Sequence, residues 1–381
     1  MKWMRIVMVA AAVLVLTGCL KQKSDDGGGT PPPPPRTYNW PSIADSVQTA
    51  LNNSFWYAAG NFFTSQPNGT SFNSNYWPNA HALDVLLDAY LRKNKDAAIK
   101  AQMDKLVDGL KAANGNTYSN YYFDDMEWLL ISSLRAFKET GDTKYKTVYE
   151  SIWPEVKTGW DNVSGGGFYW RKDKINKNTP ANAPACIFAA RLYQLTNNTG
   201  DLDWAKNTYT WLKTHMIQSN GAVWDGISTN VSPITYDNRL FTYNNGTVIG
   251  AALELYKITN DISYKNEAVA VANAAVSTLT REGVLVPGDT GDGGLFNGIF
   301  VRYLTRLIVE GGIDSGTKTN YINFLKKNAE TMWSKGTLMP LCFVGPDWKV
   351  TPSSTTMNPQ LSGIMLAESL AELKKLNLLP N

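Results

Sequence analysis

The chain has 381 residues, of which 43% are hydrophobic and 18% are charged. A disordered protein needs few apolar residues and a high net charge, so this composition excludes that class. The 36 basic and 33 acidic residues nearly balance. This balance gives no electrostatic reason to expect nucleic acid as a partner, because such binding depends on neutralising many phosphates. With two histidines and three cysteines, we expect neither a His/Cys metal site nor a disulfide framework.

Residues 1–18 are predicted to form a signal peptide. Lys2 and Arg5 precede an apolar run over 6–16, which is too short to span a membrane. The run ends in Leu-Thr-Gly-Cys at 16–19, which resembles a bacterial lipobox. That resemblance implies that Cys19 is acylated and becomes the mature N-terminus. The alternative is an ordinary cleaved signal with an incidental cysteine.

Residues 19–38 are predicted to form a linker, because they contain a run of three glycines and a run of five prolines. The Ser-Asp-Asp sequence at 24–26 resembles the acidic surface-export tag of lipoproteins in Bacteroidetes-type bacteria. Its alternative is a solvated charge pair. We therefore expect a lipid-anchored protein of the bacterial cell envelope, at the outer membrane, facing either the surface or the periplasm.

Residues 39–381 are predicted to form one helical domain. Leu83, Leu86, Leu87 and Tyr90 recur at the spacing of one helix face. Sustained alternation of apolar and polar residues is scarce, so we expect only short strands, near 223–225 and 283–286. Similar helical patterns predict about twelve helices, near 42–57, 81–90, 97–113, 125–139, 143–158, 183–197, 202–217, 246–259, 262–279, 296–311, 318–333 and 360–377.

Three of these helices are predicted to end and restart in the same way. Gly or Asn ends the helix, and an aspartate then caps the next one, with Asp142, Asp201 and Asp261 recurring about every 60 residues. Such helix pairs either stack as an open solenoid or close into a ring. The long connections fall on one side, which favours a closed all-α (α/α)6 barrel with a loop-built cleft at one end.

The long loops are rich in aromatic and amide side chains, at 75–79, 165–171, 224–226 and 242–246. Flat aromatic faces match the C–H faces of sugar rings, and Asn, Asp and Arg hydrogen-bond to hydroxyls, so this mixture is typical of a glycan groove. The alternative is that the aromatic rings pack the loops onto the helices. The loop 288–294 lacks the βαβ frame of a dinucleotide site, and we predict a turn-rich loop beside the cleft.

Asp124 and Asp125, at the start of a predicted helix, are the candidate catalytic pair. Retaining glycosidases use two carboxyls about 5–5.5 Å apart, one as nucleophile and one as acid/base. Like charges this close push the two pKa values apart, so that one group is ionised and the other protonated. The structural alternative is a capping box, with Asp124 at the N-cap and Glu127 three residues later, while Asp125 complements the helix dipole.

The segment Tyr-Phe-Asp-Asp-Met-Glu-Trp at 122–128 resembles the catalytic segment of glycoside hydrolase family 76, the α-1,6-mannanases. The resemblance covers about residues 45–375. Asn245 and Asn297 stand where the family has Gln and Lys, departures that bear on substrate fit. Other segments resemble the family in the same order, at 76–82, 165–170, 182–185, 243–246 and 296–303.

The resemblance implies an (α/α)6 barrel and retaining hydrolysis of α-1,6-mannosidic links, with Asp124 as the nucleophile and Asp125 as the acid/base. It implies no metal and no organic cofactor. An alternative role for Asp225, in place of substrate contact, is to cap a turn together with Gly226. The substrate-contact residues that we infer from the matching segments are Trp77, Tyr122, Trp128, Trp170, Asp225, Tyr243, Asn244 and Arg302.

We therefore expect a monomeric, lipid-anchored endo-α-1,6-mannanase. Its partners would be an α-mannan polysaccharide or oligosaccharide and a lipid bilayer. One alternative is an (α/α)6 hydrolase or lyase that acts on another glycan. The other alternative is a glycan-binding lipoprotein without catalytic activity, although such a protein has no reason to place two like charges together.

Overall fold

The structure, a computed structural model, describes residues 37–73 and 75–379. The predicted signal peptide, Cys19 and nearly all of the linker lie outside the described residues. Within the described ranges there are twelve α-helices: α1 Trp40–Phe55, α2 Tyr76–Arg92, α3 Ala97–Ala113, α4 Phe123–Thr140, α5 Thr143–Lys157, α6 Thr179–Thr196, α7 Thr199–His215, α8 Thr242–Thr259, α9 Ile262–Thr278, α10 Gly293–Glu310, α11 Ser315–Ser334 and α12 Met357–Lys375.

The even-numbered helices form a closed inner ring, in which α2 packs on α4, α4 on α6, α6 on α8, α8 on α10, α10 on α12, and α12 again on α2. The odd-numbered helices pack outside this ring, each against an inner neighbour. The protein is therefore an all-α (α/α)6 barrel, as the sequence predicts. Among the described residues, no helix is both long enough and apolar enough to cross a membrane.

Burial separates the two rings of helices. Helix α12 is buried over nearly its whole length, as are α6 and α8 for most of theirs, and a helix that is apolar all round belongs inside a protein. The outer helix α3 instead buries one stripe, formed by Met103, Leu106, Val107 and Leu110. This spacing is that of a helix with one face toward the core and the other toward solvent.

The connections from inner to outer helices are short, and three of them begin with a left-handed residue. Gly141 after α4, Asn197 after α6 and Asn260 after α8 have φ values of 72°, 58° and 58°. Glycine and asparagine adopt this conformation more readily than other residues, which confirms that they end these helices.

The predicted caps after these turns are correct at two of three sites. Asp142 and Asp261 are the N-cap residues of α5 and α9, and each accepts a backbone N–H of the first turn. The prediction for Asp201 was wrong. Asn198 caps α7, whereas the buried Asp201 lies inside the helix and accepts a 3.2 Å hydrogen bond from the Trp153 indole.

Connections from outer to inner helices are longer, and most contain short antiparallel strands: β1 Trp56–Tyr57, β2 Phe62–Phe63, β3 Asn176–Asn178, β4 Trp224–Ser228, β5 Thr235–Leu240, β6 Thr280–Arg281, β7 Val284–Leu285, β8 Thr337–Leu338 and β9 Phe343–Val344. Strands β3, β4 and β5 form one sheet in that order, and the remaining strands form two-stranded hairpins. Both predicted strand positions are confirmed, in β4 and in the β6–β7 hairpin.

Buried amides in the first turns of the inner helices hold these loops. Asn79 of α2 accepts a 2.8 Å hydrogen bond from the Phe63 backbone, and Asn182 of α6 accepts one of 2.7 Å from Phe168. Gln360 of α12 holds the strand β9 in a similar way. Because every long loop leads into the N-terminus of an inner helix, the loops gather at that end of the barrel and build the cleft there.

Candidate active site

Asp124 and Asp125 occupy the first turn of the inner helix α4, at the loop end of the barrel. Asp124 is held on both oxygens: Oδ1 accepts the backbone N–H of Asp125 at 3.0 Å, and Oδ2 accepts the indole N–H of Trp170 at 3.1 Å. The partial positive charge of a helix N-terminus favours an anion at this position. These contacts fix the orientation of the carboxyl that the sequence assigns as nucleophile.

The capping-box alternative was wrong. The N-cap of α4 is Tyr122, and it makes no side-chain cap hydrogen bond. Glu127, the other half of the predicted box, is fully buried. Neither of its carboxyl oxygens has a hydrogen-bond partner among the described residues. The two aspartates are therefore not needed to start this helix.

The two carboxyls differ in how firmly each holds a proton. Burial raises the pKa of Asp124 to about 7, although the hydrogen bonds from the Asp125 backbone and from Trp170 act to lower it. Burial and the neighbouring charges of Asp124 and Asp292 raise the pKa of Asp125 well above its ordinary value. Burial therefore favours the protonated form of both carboxyls, whereas the two donors on Asp124 favour its ionised form.

Two aromatic side chains border the pair on the side of the β3 sheet. The Trp170 ring donates to Asp124, and the centroid of the Tyr122 ring lies 5.3 Å from that of Trp170. Both side chains are partly exposed. They are placed where a sugar ring at the carboxyls would meet an aromatic face.

A second aromatic group is formed by residues of α2 and α4. The centroid of the Trp77 ring lies 6.4 Å from that of Trp128 and 5.5 Å from that of His81. Trp128 and His81 are buried against each other, with centroids 4.6 Å apart. Burial lowers the pKa of His81 to about 3, so this ring is neutral. Trp77 is the partly exposed member of the group, and its ring packs against the buried Trp128.

Asp225, Asn244 and Tyr243 come together where β4 and β5 meet the start of α8. Asn244 donates a 2.8 Å hydrogen bond to Asp225, whose pKa is raised by burial. The ring of Tyr243 stacks on Phe296 with centroids 3.9 Å apart. Burial, followed by the charges of Asp225, Asp124 and Asp292, raises the pKa of Tyr243 well above its usual value. Its hydroxyl thus stays protonated.

Asp225 lies in strand β4 and not in a turn, so the alternative of a turn cap with Gly226 was wrong. The register of β4 against β5 shifts between Trp224 and Gly226, and such a bulge turns a side chain away from its regular direction. Asn244 itself is fully buried. We therefore interpret Asn244 as the residue that orients Asp225.

Arg302 does not come together with the cleft residues. Its guanidinium lies 2.7 Å from Asp88 and 3.1 Å from Asp84, two carboxylates of α2. Arg135 of α4 pairs with the same two aspartates. The structure thus places Arg302 in a charge network that ties α2, α4 and α10 together, and we interpret it as a scaffold residue, which corrects the expectation of substrate contact.

The two departures from the family pattern also lie in the scaffold. Asn297 is buried, donates a 2.8 Å hydrogen bond to the carbonyl of Val286 and accepts one of 2.9 Å from Thr242. Asn245 is buried and donates to the carbonyl of Phe241. Both side chains therefore act on loop position, and their effect on substrate fit is indirect.

Two carboxyls of this site, Asp292 and Glu127, were not predicted from the sequence. Asp292 precedes α10 and accepts a 3.1 Å hydrogen bond from the Trp77 indole. The signal for it was available, because its loop leads into an inner helix and such loops build the cleft. Glu127 lies one helical turn beyond Asp124, and its motif position alone favours a cap.

A carboxylate pair at an inner-helix N-terminus, framed by aromatic loops in an (α/α)6 barrel, defines a glycan-cleaving class of protein. Within that class the chain belongs to glycosyl hydrolase family 76, whose sequence profile matches residues 42–374.

Solved structures and curated sequences agree with this assignment. The GH76A α-1,6-mannanase of Salegentibacter sp. HEL1_6 is 39% identical and superposes with a TM-score of 0.85 over 88% of this chain and 100% of that chain. The Lin0763 protein from Listeria innocua is 33% identical, with a TM-score of 0.82 over 90% of this chain and 100% of that chain. The mannan endo-1,6-alpha-mannosidase DCW1 of Candida glabrata is 28% identical over 152 residues, which are 37% of this chain and 34% of that relative.

The chain spans between 34% and 57% of the length of the curated fungal relatives that it matches. An inactive variant of the Salegentibacter enzyme, with two consecutive aspartates changed to asparagine, is known in complex with α-1,6-mannotriose.

Proposed function

We propose that this protein is an endo-acting α-1,6-mannanase that cleaves mannan backbones with retention of anomeric configuration. The observation that carries the proposal is the placement of two adjacent carboxyls, Asp124 and Asp125, in the first turn of α4, where Trp170 donates a hydrogen bond to Asp124. The inactive relative with two altered adjacent aspartates supports the same pair as the catalytic groups. The mannooligosaccharide bound by that relative supports mannan as the substrate.

In the first step, ionised Asp124 attacks the anomeric carbon of a mannose unit while protonated Asp125 gives its proton to the leaving oxygen. The bond between carbon and leaving oxygen breaks as the glycosyl–Asp124 ester forms. In the second step, Asp125, now a carboxylate, takes a proton from water, and the resulting nucleophile releases the sugar from Asp124. Each step returns the carboxyls to the protonation state that the other step requires.

The hydrogen bonds to Asp124 assist the second step, in which Asp124 is the leaving group. A carboxylate that accepts the Trp170 indole and a helix N–H is a better leaving group than an unassisted one, because both contacts stabilise its charge. Burial and nearby carboxylates keep the Tyr243 hydroxyl protonated, so it serves as a hydrogen-bond donor in the cleft, toward Asp225 or a sugar hydroxyl.

The test is to follow the first product of α-1,6-mannan cleavage by ¹H NMR, with Asp124→Asn and Asp125→Asn alongside. We expect the α-anomer to appear first and both variants to lose nearly all activity while remaining folded. Asp203→Asn, an exposed aspartate of the outer helix α7, is the matched control. An initial β-anomer would refute retention. Binding of mannan without cleavage would favour a glycan-binding lipoprotein. Cleavage of another glycan but not of mannan would show that the substrate assignment is wrong.

We further propose that Cys19 carries the lipid that anchors the protein in the bacterial cell envelope, at the outer membrane, and that the enzyme acts as a monomer. The Leu-Thr-Gly-Cys sequence supports the anchor. The Gly- and Pro-rich linker would then hold the barrel away from the bilayer.

A further inference from the structure

A pocket of about 200 Å³ opens at the loop end of the barrel. The first turns of α2 and α12 line it together with the loop before α10, and its lining includes Trp77, Asp292 and Asn358. Pockets for drug-sized ligands occupy about 300–1,000 Å³, so this one suits a single sugar ring and not an oligosaccharide. The lining is rich in amide, hydroxyl and carboxyl groups, which also suits a sugar.

Two observations connect this pocket to the reaction site. The charge of Asp292 raises the pKa of both Asp124 and Asp125, so its carboxyl lies within electrostatic reach of the pair. The Trp77 ring borders the pocket and also belongs to the aromatic group around Trp128. A mannan chain that has one unit at the carboxyls would therefore bring a nearby unit into the pocket.

The Asp292 carboxyl is accessible and held in place. It is exposed to solvent at the pocket wall, and its Oδ1 accepts the Trp77 indole N–H at 3.1 Å. The residue before it is also held, because Asn358 donates a 2.9 Å hydrogen bond to the carbonyl of Gly291. A carboxylate oriented in this way is ready to accept hydrogen bonds from two neighbouring hydroxyls, and such charge-assisted bonds are stronger than neutral ones.

The chemistry of the proposed substrate matches this arrangement. An internal α-1,6-linked mannose unit uses only O1 and O6 in the chain, so O2, O3 and O4 remain as free neighbouring hydroxyls. A branch at O2 or O3 removes one donor and adds a second sugar ring, for which a pocket of this size has no room.

We propose that the pocket binds one unbranched mannose unit of the chain through Asp292, and that it selects for bare α-1,6-mannan at this position. The inference rests on the proposed mannanase function. It makes Asp292 a specificity-determining residue of the substrate cleft and gives the loop 288–294 a function that its sequence pattern alone does not indicate.

The test uses the full chain carrying Asp124→Asn and Asp125→Asn, so that oligosaccharides bind without being cut. Calorimetry would compare linear α-1,6-mannotetraose with the same tetraose bearing an α-1,2-mannosyl branch on every unit. Adding Asp292→Ala should weaken binding of the linear tetraose at least tenfold and leave binding of the branched tetraose unchanged. Asp292→Asn, which keeps shape and one acceptor, should fall between, and Asp203→Ala should change nothing.

Equal weakening for both tetraoses would show that Asp292 only supports the loop, and unchanged binding of the linear tetraose would show that it does not touch the sugar. Either result overturns the inference. Wild-type cleavage of α-1,6-mannan, measured in parallel, separates these outcomes from failure of the proposed function. If the wild-type protein cuts no mannan and the Asp124→Asn, Asp125→Asn variant binds neither tetraose, then the proposed function and the pocket assignment are both wrong.

Discussion

The indole nitrogen of Trp170 donates a 3.1 Å hydrogen bond to Oδ2 of Asp124. This contact joins the loop after α5 to the first turn of α4, so the position of the Asp124 carboxyl depends on a residue far along the chain. The bond also favours the ionised form of Asp124 and lowers its pKa against the stronger opposing effect of burial.

Trp170→Phe should lower kcat/KM roughly tenfold or more, because the loss of one hydrogen bond to a charged group costs about 1.5–3 kcal/mol. Removal of the donor raises the pKa of Asp124, so the acidic limb of the pH–rate profile should move to higher pH. The measurement is kcat/KM on α-1,6-mannan across pH. Trp160→Phe is the control, because the Trp160 ring packs on Phe168. If the acidic limb does not move in Trp170→Phe, the role assigned to the Trp170 hydrogen bond is wrong.

The pH dependence of the wild-type enzyme should be bell-shaped. Activity is lost at low pH as Asp124 becomes protonated and at high pH as Asp125 loses its proton, and both limbs lie above the usual carboxyl range because burial raises both pKa values. Asp292 adds to both shifts through its negative charge. Asp292→Asn should therefore move both limbs to lower pH, whereas limbs that stay in place would show that Asp292 is too far away to matter.

Cys19→Ala should abolish incorporation of labelled palmitate and move the protein out of the membrane fraction. The reason is that the cysteine of a lipobox-like sequence is the acylation site, and no other residue replaces its thiol. Cys342→Ala, a cysteine of the barrel, is the control and should leave both readouts unchanged. A wild-type protein that is unlabelled and soluble would instead support an ordinary cleaved signal.

Local periodicity was enough to predict the helices, because each helix must bury one stripe or its whole surface whatever its neighbours are. The closed ring was predicted from the long connections, which recur on one side. The Asp pair could also be predicted, since a short motif carries it. The role of Arg302 could not be predicted, because it depends on the ion pairs with Asp84 and Asp88, which lie on another helix. The cap at Asn198 was missed for a local reason, since Asn198 and Asp201 are both good capping residues a few positions apart.

Glu254 is the centre of an ion cluster between α6 and α8 that should contribute to acid stability. It lies 2.7 Å from Arg191 and 3.0 Å from Lys257. Although burial opposes the shift, these cations lower the pKa of Glu254 from 4.5 to about 2. Its contribution to stability is therefore present above pH 4.5 and is lost as the pH falls toward 2.

Glu254→Gln should lower the free energy of unfolding by about 3 kcal/mol at pH 7, since each pKa unit corresponds to about 1.4 kcal/mol. Denaturant titrations at pH 7 and near pH 3 would measure this loss, which should shrink at the lower pH. Glu150→Gln, in an exposed pair with Lys146, should change stability by less than about 1 kcal/mol. A loss that is the same at both pH values would show that packing, and not charge, is involved.

Glu127 should show the opposite linkage, because it is a buried carboxyl with no hydrogen-bond partner among the described residues. Burial and the nearby charge of Asp124 raise its pKa well above 4.5. At pH 7 the unfolded chain gains by ionising this group, so the folded state is penalised there, whereas below pH 4.5 both states are protonated and the penalty disappears.

Glu127→Gln should therefore raise the free energy of unfolding at pH 7, by about the 0.5–2 kcal/mol typical of a stabilising substitution, and should give no gain at pH 4. Mannan cleavage should survive, because the amide replaces a group that is already neutral. Denaturant titrations at both pH values test the first expectation, and kcat tests the second. If the variant is instead destabilised at pH 7, less so at pH 4, and loses activity, then Glu127 works as an anion and the expected linkage is wrong.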